Sequence, residues 1–469
     1  MRRLLAIFSI ISITAFFGGR FSYAQSAGAT APATGIAEGL WEGSITLKQI
    51  VPAGTGGSES PGSLSSGLRL KILGQGKGAL MDITEQSMFG YPLDEVSWNA
   101  ASIRFTLDAL GPGEELACEG IFSASAGTPG LGGAIIGTAK ARSWKGSFLL
   151  RRVPGSQAPH EKIISIPIGE DFLPGTLLQP GGAQSRVPLV LLLPGAGTSD
   201  RDGNNYNVPG KSNTLSMLAA TLYDKGVASF RYDKRGSGEA YLLERQGMTT
   251  SLAVHASDAA RILKYLLNLN MFSRIIVAGM NEGAWTGAAA INSLAEEGIF
   301  IDGIVVLDGS GVEPRKELEA SIQELDDSTR KEAEAIVQAL MAGKPFPAPS
   351  AQLSDFFSPT RIEWLESWLK FDPSSEIAKV QAPILFIYGS ADLQISREAF
   401  ERLLKARPNA AARLIPSMNY LLKQVKTEEE NYDSFTNPGY PLAEGLVDLI
   451  TAFAKAKPLP PGSAALPYK

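Results

Sequence analysis

The sequence predicts a small all-β domain followed by a larger α/β domain whose sheet is doubly wound and mostly parallel. Three observations predict this. From Gly39 to Arg152, short segments such as Leu68–Ile72 and Ile103–Leu107 alternate apolar and polar residues, and no convincing helical stretch intervenes. Beyond residue 160, near-continuous apolar runs alternate with helical segments, the mark of parallel strands covered on both faces. One such run, Ile275-Ile276-Val277-Ala278, passes directly into Gly279-Met280-Asn281-Glu282-Gly283 and then a helix of small residues. The two glycines let strand and helix approach closely, so that the central side chain, Asn281, projects above the sheet.

The 469 residues leave room for two or three domains, and 44% hydrophobic with 19% charged residues is an ordinary globular balance. Residues 1–24 read as a signal peptide: Arg2 and Arg3 open it, Leu4–Phe17 form the apolar run, and Ser22-Tyr23-Ala24 is a small-residue cleavage pattern. The rival reading is a membrane anchor, but the run is short and Gly18-Gly19-Arg20 breaks it. No cysteine lies near the cleavage point, which argues against a lipoprotein. The expectation is an exported protein, periplasmic or secreted, with no membrane span after cleavage. Loss of Arg2, Arg3 and Arg20 leaves 40 basic against 48 acidic residues, a formal net charge of −8. That balance argues against nucleic acid and anionic membrane surfaces as partners. The single cysteine, Cys118, has no disulfide partner within the chain and reads as a small buried strand residue.

In chain order, residues 25–38 read as a flexible N-terminus and 39–152 as the all-β domain, with Trp41 and Trp144 closing one core. Ala53–Gly67 reads as a long Gly/Ser/Pro-rich hairpin loop. Residues 160–456 form the α/β domain, opened by a strand pair, Lys162–Gly169 and Phe172–Leu178. Its buried strands are Val187–Leu193, Val227–Tyr232, the run before Asn281, Ile301–Leu307 and Pro383–Tyr388. Helices are expected at Ser212–Lys225 and Ala253–Leu267. Residues of about 309–380 carry helical patterning between two late strands, which places a lid over the strands' carboxyl ends. Residues 457–469 are a Pro-rich tail, expected to be irregular.

Five local motifs, in order, sit at strand ends: Pro194-Gly195-Ala196-Gly197 with Asp200-Arg201-Asp202, then Arg231-Tyr232-Asp233-Lys234-Arg235-Gly236, then Gly279–Gly283, then Gly389-Ser390-Ala391-Asp392, then Met418-Asn419-Tyr420-Leu421. With these, residues from about Lys162 to Ala454 resemble the exported α/β-hydrolases of the serine-aminopeptidase/esterase group, which carry a small β domain before the hydrolase domain. The resemblance implies an α/β-hydrolase fold with a helical lid and no cofactor. It places the elbow nucleophile at Asn281, the acid at Asp392 and the histidine base at Tyr420. It places backbone oxyanion donors at Ala196, or Gly195, and at Glu282. Of the three triad positions, only Asp392 keeps its family residue.

An amide nitrogen has no nucleophilic lone pair to offer, and a phenol with a pKa near ~10 is a poor shuttle for a proton near neutrality. Losing either partner of such a triad costs on the order of 10⁴–10⁶ in rate. Substitutes are few. His160 lies before the sheet, and His255 reads as an ordinary helix-start histidine rather than a base. Ser310, in Gly309-Ser310-Gly311, reads as a turn serine leading into the lid, and Asp308 as a strand-end residue. Arg231, Asp233 and Arg235 read as braces for the loops. Asn also tolerates the left-handed backbone that an elbow demands. Its deamidation to a nucleophilic aspartate would still lack a histidine to activate water. Gly74–Gly78 lacks the Lys-Ser/Thr of a phosphate loop, and no His, Cys or carboxylate pair has metal-ligand spacing. Two functions stay open. One is a pseudo-hydrolase that binds an acyl, peptide or glycan-derived ligand or a protein partner. The alternative is a carboxylesterase-like or peptidase-like hydrolase with a non-standard nucleophile.

Overall fold

The computed structural model describes residues 36, 39–50, 62–74, 78–83, 88–107, 114–123, 133–152, 161–169, 171–180, 186–197, 199–205, 211–240, 251–354, 356–460 and 464–465. The expected signal peptide, nearly all of the expected flexible N-terminus, and His160 lie outside them. The chain divides into two compact units, with the change falling between Ala158 and Pro159.

The first unit is one antiparallel sheet of nine strands: β1 (Gly39–Gln49), β2 (Ser63–Gly74), β3 (Gly78–Ile83), β4 (Met88–Pro92), β5 (Asp94–Trp98), β6 (Ser102–Leu107), β7 (Leu116–Ser123), β8 (Ala134–Lys140) and β9 (Trp144–Arg152). Their spatial order is β4-β3-β2-β1-β9-β8-β7-β6-β5. The two edge strands, β4 and β5, are separated only by Leu93, whose N–H donates to the Ala79 carbonyl at 2.9 Å. The edges therefore belong to one bent strand, whose first half pairs with β3 and second half with β6, so that the sheet curls round on itself as an up-and-down barrel. Period-two alternation sends one face inward. Trp41, Ile45 and Leu47 of β1 meet Leu68, Leu70, Phe105, Cys118, Phe148 and Leu150 in a single core. Trp41 is fully buried and meets Phe122 edge-on, whereas Trp144 is half-buried against the same core. Side chains fill this interior, as expected for a barrel of this strand number. The sequence places Ser63–Gly67 in a loop, but they belong to β2: Leu64 pairs with Leu47 and Gly67 with Ser44. Their small polar residues suit a strand with one face outward, and composition alone does not distinguish that from a turn.

The second unit holds β10 (Glu161–Ile168), β11 (Asp171–Leu178), β12 (Val187–Leu193), β13 (Ala228–Tyr232), β14 (Phe272–Met280), β15 (Gly303–Leu307), β16 (Ile384–Gly389), β17 (Ala411–Ile415) and β18 (Ala464–Ala465). The helices are α1 (Thr214–Asp224), α2 (Leu252–Asn268), α3 (Glu282–Glu296), α4 (Pro314–Ile322), α5 (Asp327–Met341), α6 (Ile362–Leu369), α7 (Pro373–Lys379), α8 (Arg397–Ala406), α9 (Glu428–Asp433) and α10 (Leu446–Ala454). The sheet order is β10-β11-β13-β12-β14-β15-β16-β17-β18, parallel from β13 through β17 and antiparallel at both ends. Every residue of β13 and β15 is buried, as the unbroken apolar runs demand. The direction in which successive strands are added reverses about β12. Right-handed crossovers then put α1 on one face and α2 and α3 on the other. The packing agrees: α1 lies against α10, while α2, α3, α7 and α8 form the second layer. This is the α/β-hydrolase architecture.

Helices α4–α7 occupy the stretch between β15 and β16. Leu318, Ile336, Phe356, Leu365 and Trp368 form their own core and enclose Leu252 and Trp285 from the main domain. The tail is less irregular than its prolines imply, because β18 pairs antiparallel with Arg413 and Leu414 at the sheet edge.

Cys118 gives a direct check on the barrel. Burial pushes its thiol up to about 12, and the thiolate is the reactive form. A thiol reagent is expected to leave the native protein unlabelled and to react once denaturant unfolds the barrel. Fast labelling under native conditions would contradict the closed core.

Candidate active site

The apex of the second unit lies where β14 gives way to α3. A Cβ on Gly279 would stand 2.4 Å from the backbone of Gly283 and Ala284, and one on Gly283 would stand 2.5 Å from the carbonyl oxygens of Leu193 and Pro194. No side chain fits at either place, so both glycines are dictated by the close approach of β14, α3 and the end of β12. Between them Asn281 adopts φ 39°, ψ −105°. Such a backbone is sparsely populated and costs of the order of 1–3 kcal/mol. It is held by the Asn281 N–H donating to Leu307 O (2.9 Å), by the Ala284 N–H donating to Asn281 O (2.9 Å), and by the Ser310 N–H donating to Asn281 Oδ1 (3.3 Å).

Tyr420 stands over this apex. A Cβ on Gly195 would lie 2.7 Å from the Tyr420 hydroxyl, so the phenol sits directly against the loop that follows β12. Burial, joined by the charge of Asp392, pushes that phenol well above its ordinary range, with the nearby Asn281 side chain opposing. Its ring stacks parallel on Phe435, with centroids 6.5 Å apart. The loop carrying it is fixed by Asn419, which is fully buried and fully bonded. Asn419 Oδ1 accepts from the N–H of Leu421 and Lys423, and its Nδ2 donates to Asn431 and Ser434. A pocket of about 50 Å³ remains beside the ring, lined by Gly195, Ala196, Ser199, Asn205, Gln394 and Tyr420 among others. At roughly 10–15 Å³ per water, that is space for a few waters rather than for an acyl chain.

Asp392 follows β16. Its Oδ1 accepts from the N–H of Gln394 (2.7 Å) and Ile395 (2.9 Å), while its buried Oδ2 has no partner. Burial pushes its carboxyl up to about 7 against those two bonds. Asp308, at the end of β15, is in the same state to a greater degree. It is buried, its Oδ2 is unpartnered, and burial with the charge of Asp392 holds it well above the carboxylate range.

The expected oxyanion positions are built on backbone. Neither the Ala196 N–H nor the Glu282 N–H donates to another group of the described residues. Both segments are tethered from below by Lys234, whose ammonium donates to Gly195 O (2.9 Å) and to Glu282 Oε1 (3.5 Å). Burial lowers the lysine and raises the glutamate, and the pair's mutual attraction offsets both. Sequence reading missed this lysine and the organising Asn419. The only signals were their positions beside motif residues.

The remaining candidates fall into place as structure. Asp233 receives the Arg201 guanidinium and backbone together with the Glu239 N–H; burial alone would raise its carboxyl, but Arg201 holds it below the usual range. Arg231 pairs with Glu161 (2.9 Å) and Asp202 (3.0 Å), and Arg235 pairs with Asp258 (2.6 Å). His255 is buried on α2 with an unpartnered Nδ1, and no hydrogen bond joins it to Asn281, Tyr420 or Asp392. Burial, then the charges of Lys234 and Arg235, hold its pKa far down, so it stays neutral. Ser310 is wholly buried, and its hydroxyl donates to Glu317 Oε1 at 2.7 Å, which bolts α4 to the apex. No three His, Cys, Asp or Glu side chains among the described residues gather as a metal site.

No protein-family model matches the chain. The chain is similar to esterase EstD of Thermotoga maritima, 25% identical over 258 residues. That match covers 53% of this chain and 58% of the relative, so it spans under two-thirds of the relative's length. Among solved structures it is similar to proline iminopeptidase of Mycobacterium smegmatis (14% identical, 63% of this chain, 98% of the other, TM-score 0.38). It is also similar to Est1E of Butyrivibrio proteoclasticus with bound ferulic acid (15%, 62%, 96%, TM-score 0.39) and to dienelactone hydrolase of Anabaena variabilis (17%, 63%, 97%, TM-score 0.38).

The strained apex predicts an order of stabilities. Asn281→Gly is expected to fold close to wild type, since glycine accepts this backbone. Asn281→Val should lose a further ~1–3 kcal/mol in denaturant unfolding, because a β-branched residue resists positive φ. Equal stabilities for the two would show that the apex is unstrained.

Proposed function

We propose that this is an exported member of the esterase/peptidase α/β-hydrolases that no longer runs Ser-His-Asp chemistry and serves as a ligand- or partner-binding protein. The observation that carries the reading is the place of the Tyr420 hydroxyl, packed directly against Gly195 beside the apex. In an acyl-transfer site that volume belongs to the reacting carbonyl, flanked by nucleophile and base. Here an amide and a neutral phenol fill it. Export rests on the reading of residues 1–24 as a cleaved signal. Among the described residues no helix is long and apolar enough to cross a membrane.

Several features support descent from an esterase or peptidase: the glycine-dictated elbow, the unpaired N–H groups of Ala196 and Glu282, the acid position at Asp392, and the similarity to EstD. Helices α4–α7 are read as the lid, tied to the apex by Ser310–Glu317 and by Trp285, which donates to Ser310 O and stacks on Phe371. The ligand is proposed to be acyl, peptide or glycan-derived, entering when Tyr420 swings aside. The second reading, a hydrolase with an unusual nucleophile, is favoured by one observation: Ser310 Oγ already donates to a carboxylate, Glu317. The hydroxyl is wholly buried, however, and does not line the pocket.

Hydrolysis of short p-nitrophenyl esters tests the proposal. The purified mature protein is expected to show no turnover above background and no fluorophosphonate labelling. The Asn281→Ser/Tyr420→His double variant should gain at least ~10²-fold, since the acid and oxyanion donors remain and a rebuilt triad is worth far more. Wild-type turnover well above background that Ser310→Ala abolishes would establish the second reading instead.

A further inference from the structure

Asp308, Asp392 and Glu282 are the strand-end carboxylates left with an unpartnered oxygen among the described residues, and of these only Glu282 has a cation, Lys234, on its other oxygen. Asp308 is stitched to β16: its N–H donates to Ile387 O (2.9 Å), and its Oδ1 accepts from the Gly389 N–H at 2.6 Å. Asp392 stands three residues beyond Gly389 and spends its Oδ1 on the N–H of Gln394 and Ile395. Each carboxyl thus has one oxygen satisfied by backbone and an Oδ2 that is buried with no donor. The buried cations of the domain are engaged elsewhere: Arg201 with Asp233, Arg231 with Glu161, Lys234 with Glu282, Arg235 with Asp258, and Lys423 with the Asn437 carbonyl. No cation pairs with Asp308 or Asp392 among the described residues.

The titratable groups facing the pair offer no counter-charge. Tyr388 of β16 senses both carboxylates, but its hydroxyl donates to Ile395 O at 3.0 Å. Tyr420, on the loop after β17, senses both, and Glu282 at the start of α3 faces Tyr420 with a further negative charge. Two bare negative charges in a dry site are costly, and such pairs keep a proton instead.

The loop that bears Asp392 is coupled to the loop that bears Tyr420. Ala391 N–H donates to Met418 O (2.9 Å), Ser390 N–H to Ile415 O (3.0 Å), and Asn431 Nδ2 to Ala391 O (2.6 Å). Gln394 of the same loop lines the pocket. We propose that Asp308 and Asp392 hold a proton between them, and that losing it loosens the Gly389–Ile395 loop and with it Tyr420, so that access to the elbow pocket opens as pH rises. The pair acts through the loops and need not touch a ligand. Its proton is read by stability and exchange rather than turnover, so the result stands or falls separately from the reading of the site as non-catalytic.

The sign follows from linkage. Both carboxyls lie above their unfolded values, so the folded state holds more protons than the unfolded one. Stability is then lost as pH rises from the ordinary carboxylate range through about 7 for Asp392. Each extra proton changes the folded-to-unfolded ratio by close to tenfold per pH unit within that window. Denaturant unfolding of the full chain is expected to show Asp392→Asn more stable than wild type at about pH 8, with the gap closing towards about pH 5. Hydrogen exchange of the 389–422 segment, corrected for the intrinsic pH effect, should accelerate across the window in wild type and not in the variant. A gap that does not change with pH, or equal corrected exchange in the two proteins, overturns the proposal. Should the variant fail to fold, difference infrared spectroscopy of wild type decides. A protonated-carboxyl band must persist at neutral pH and vanish at alkaline pH, and its absence at neutrality overturns the proposal equally.

Discussion

Strand β14, helix α3 and the end of β12 meet at the apex with less room than one methyl group occupies. That constraint organises the rest of the second unit. It forces glycine at 279 and 283, and it drives the residue between them to φ 39°, ψ −105°, a strained positive-φ backbone outside the left-handed helical region that the sequence leads one to expect. It also aligns the start of α3 beside the loop after β12, so that the N–H groups of Ala196 and Glu282 sit at one crevice without internal partners. A sheet whose winding reverses at β12 opens its crevice at that point, and both loops lie there. The elbow is thus an architectural consequence that survives whatever residue stands at its tip.

Around the apex the polar groups divide into two kinds. Lys234 with Glu282, Arg201 with Asp233, and Arg235 with Asp258 are buried charges met by opposite charges, so removing one partner would strand the other. These pairs fix the loops after β12 and β13. Asp308 and Asp392 are different, because each has an unpartnered second oxygen and neither pairs with a cation among the described residues. Buried groups that reduce stability persist where something other than stability retains them. In a triad, the cation that would answer Asp392 is a histidinium. No cation pairs with Asp392 among the described residues, and the neighbouring Asp308 raises the pressure for one proton to stay.

Much of the second unit was legible because a buried parallel strand writes an unbroken apolar run. Val187–Leu193 could not be read otherwise, and the sheet follows from counting such runs between helices. Motif order then gathered Asn281, Asp392 and Tyr420, since strand ends in a parallel sheet share one edge. Contacts of high sequence separation were not legible. Nothing in the sequence tells that Asp308 donates to Ile387 O while accepting from Gly389, or that Lys234 supports Gly195. The period-two pattern gave the strands of the first unit, but not its closure, which depends on a one-residue bend at Leu93. The strand at Ala464–Ala465 was hidden by the prolines around it, because a free sheet edge recruits whatever backbone is within reach.

The central claim is that Tyr420 is a locked, neutral plug over Gly195 and not a base. Spectrophotometric titration of wild type against Tyr420→Phe isolates this one phenol from the 12 tyrosines of the chain. The account predicts no difference in tyrosinate absorbance near the ordinary pKa of ~10, with the missing phenol appearing only when the protein unfolds. A phenol that ionises at or below that value in the folded protein would make Tyr420 available for proton transfer and contradict the account.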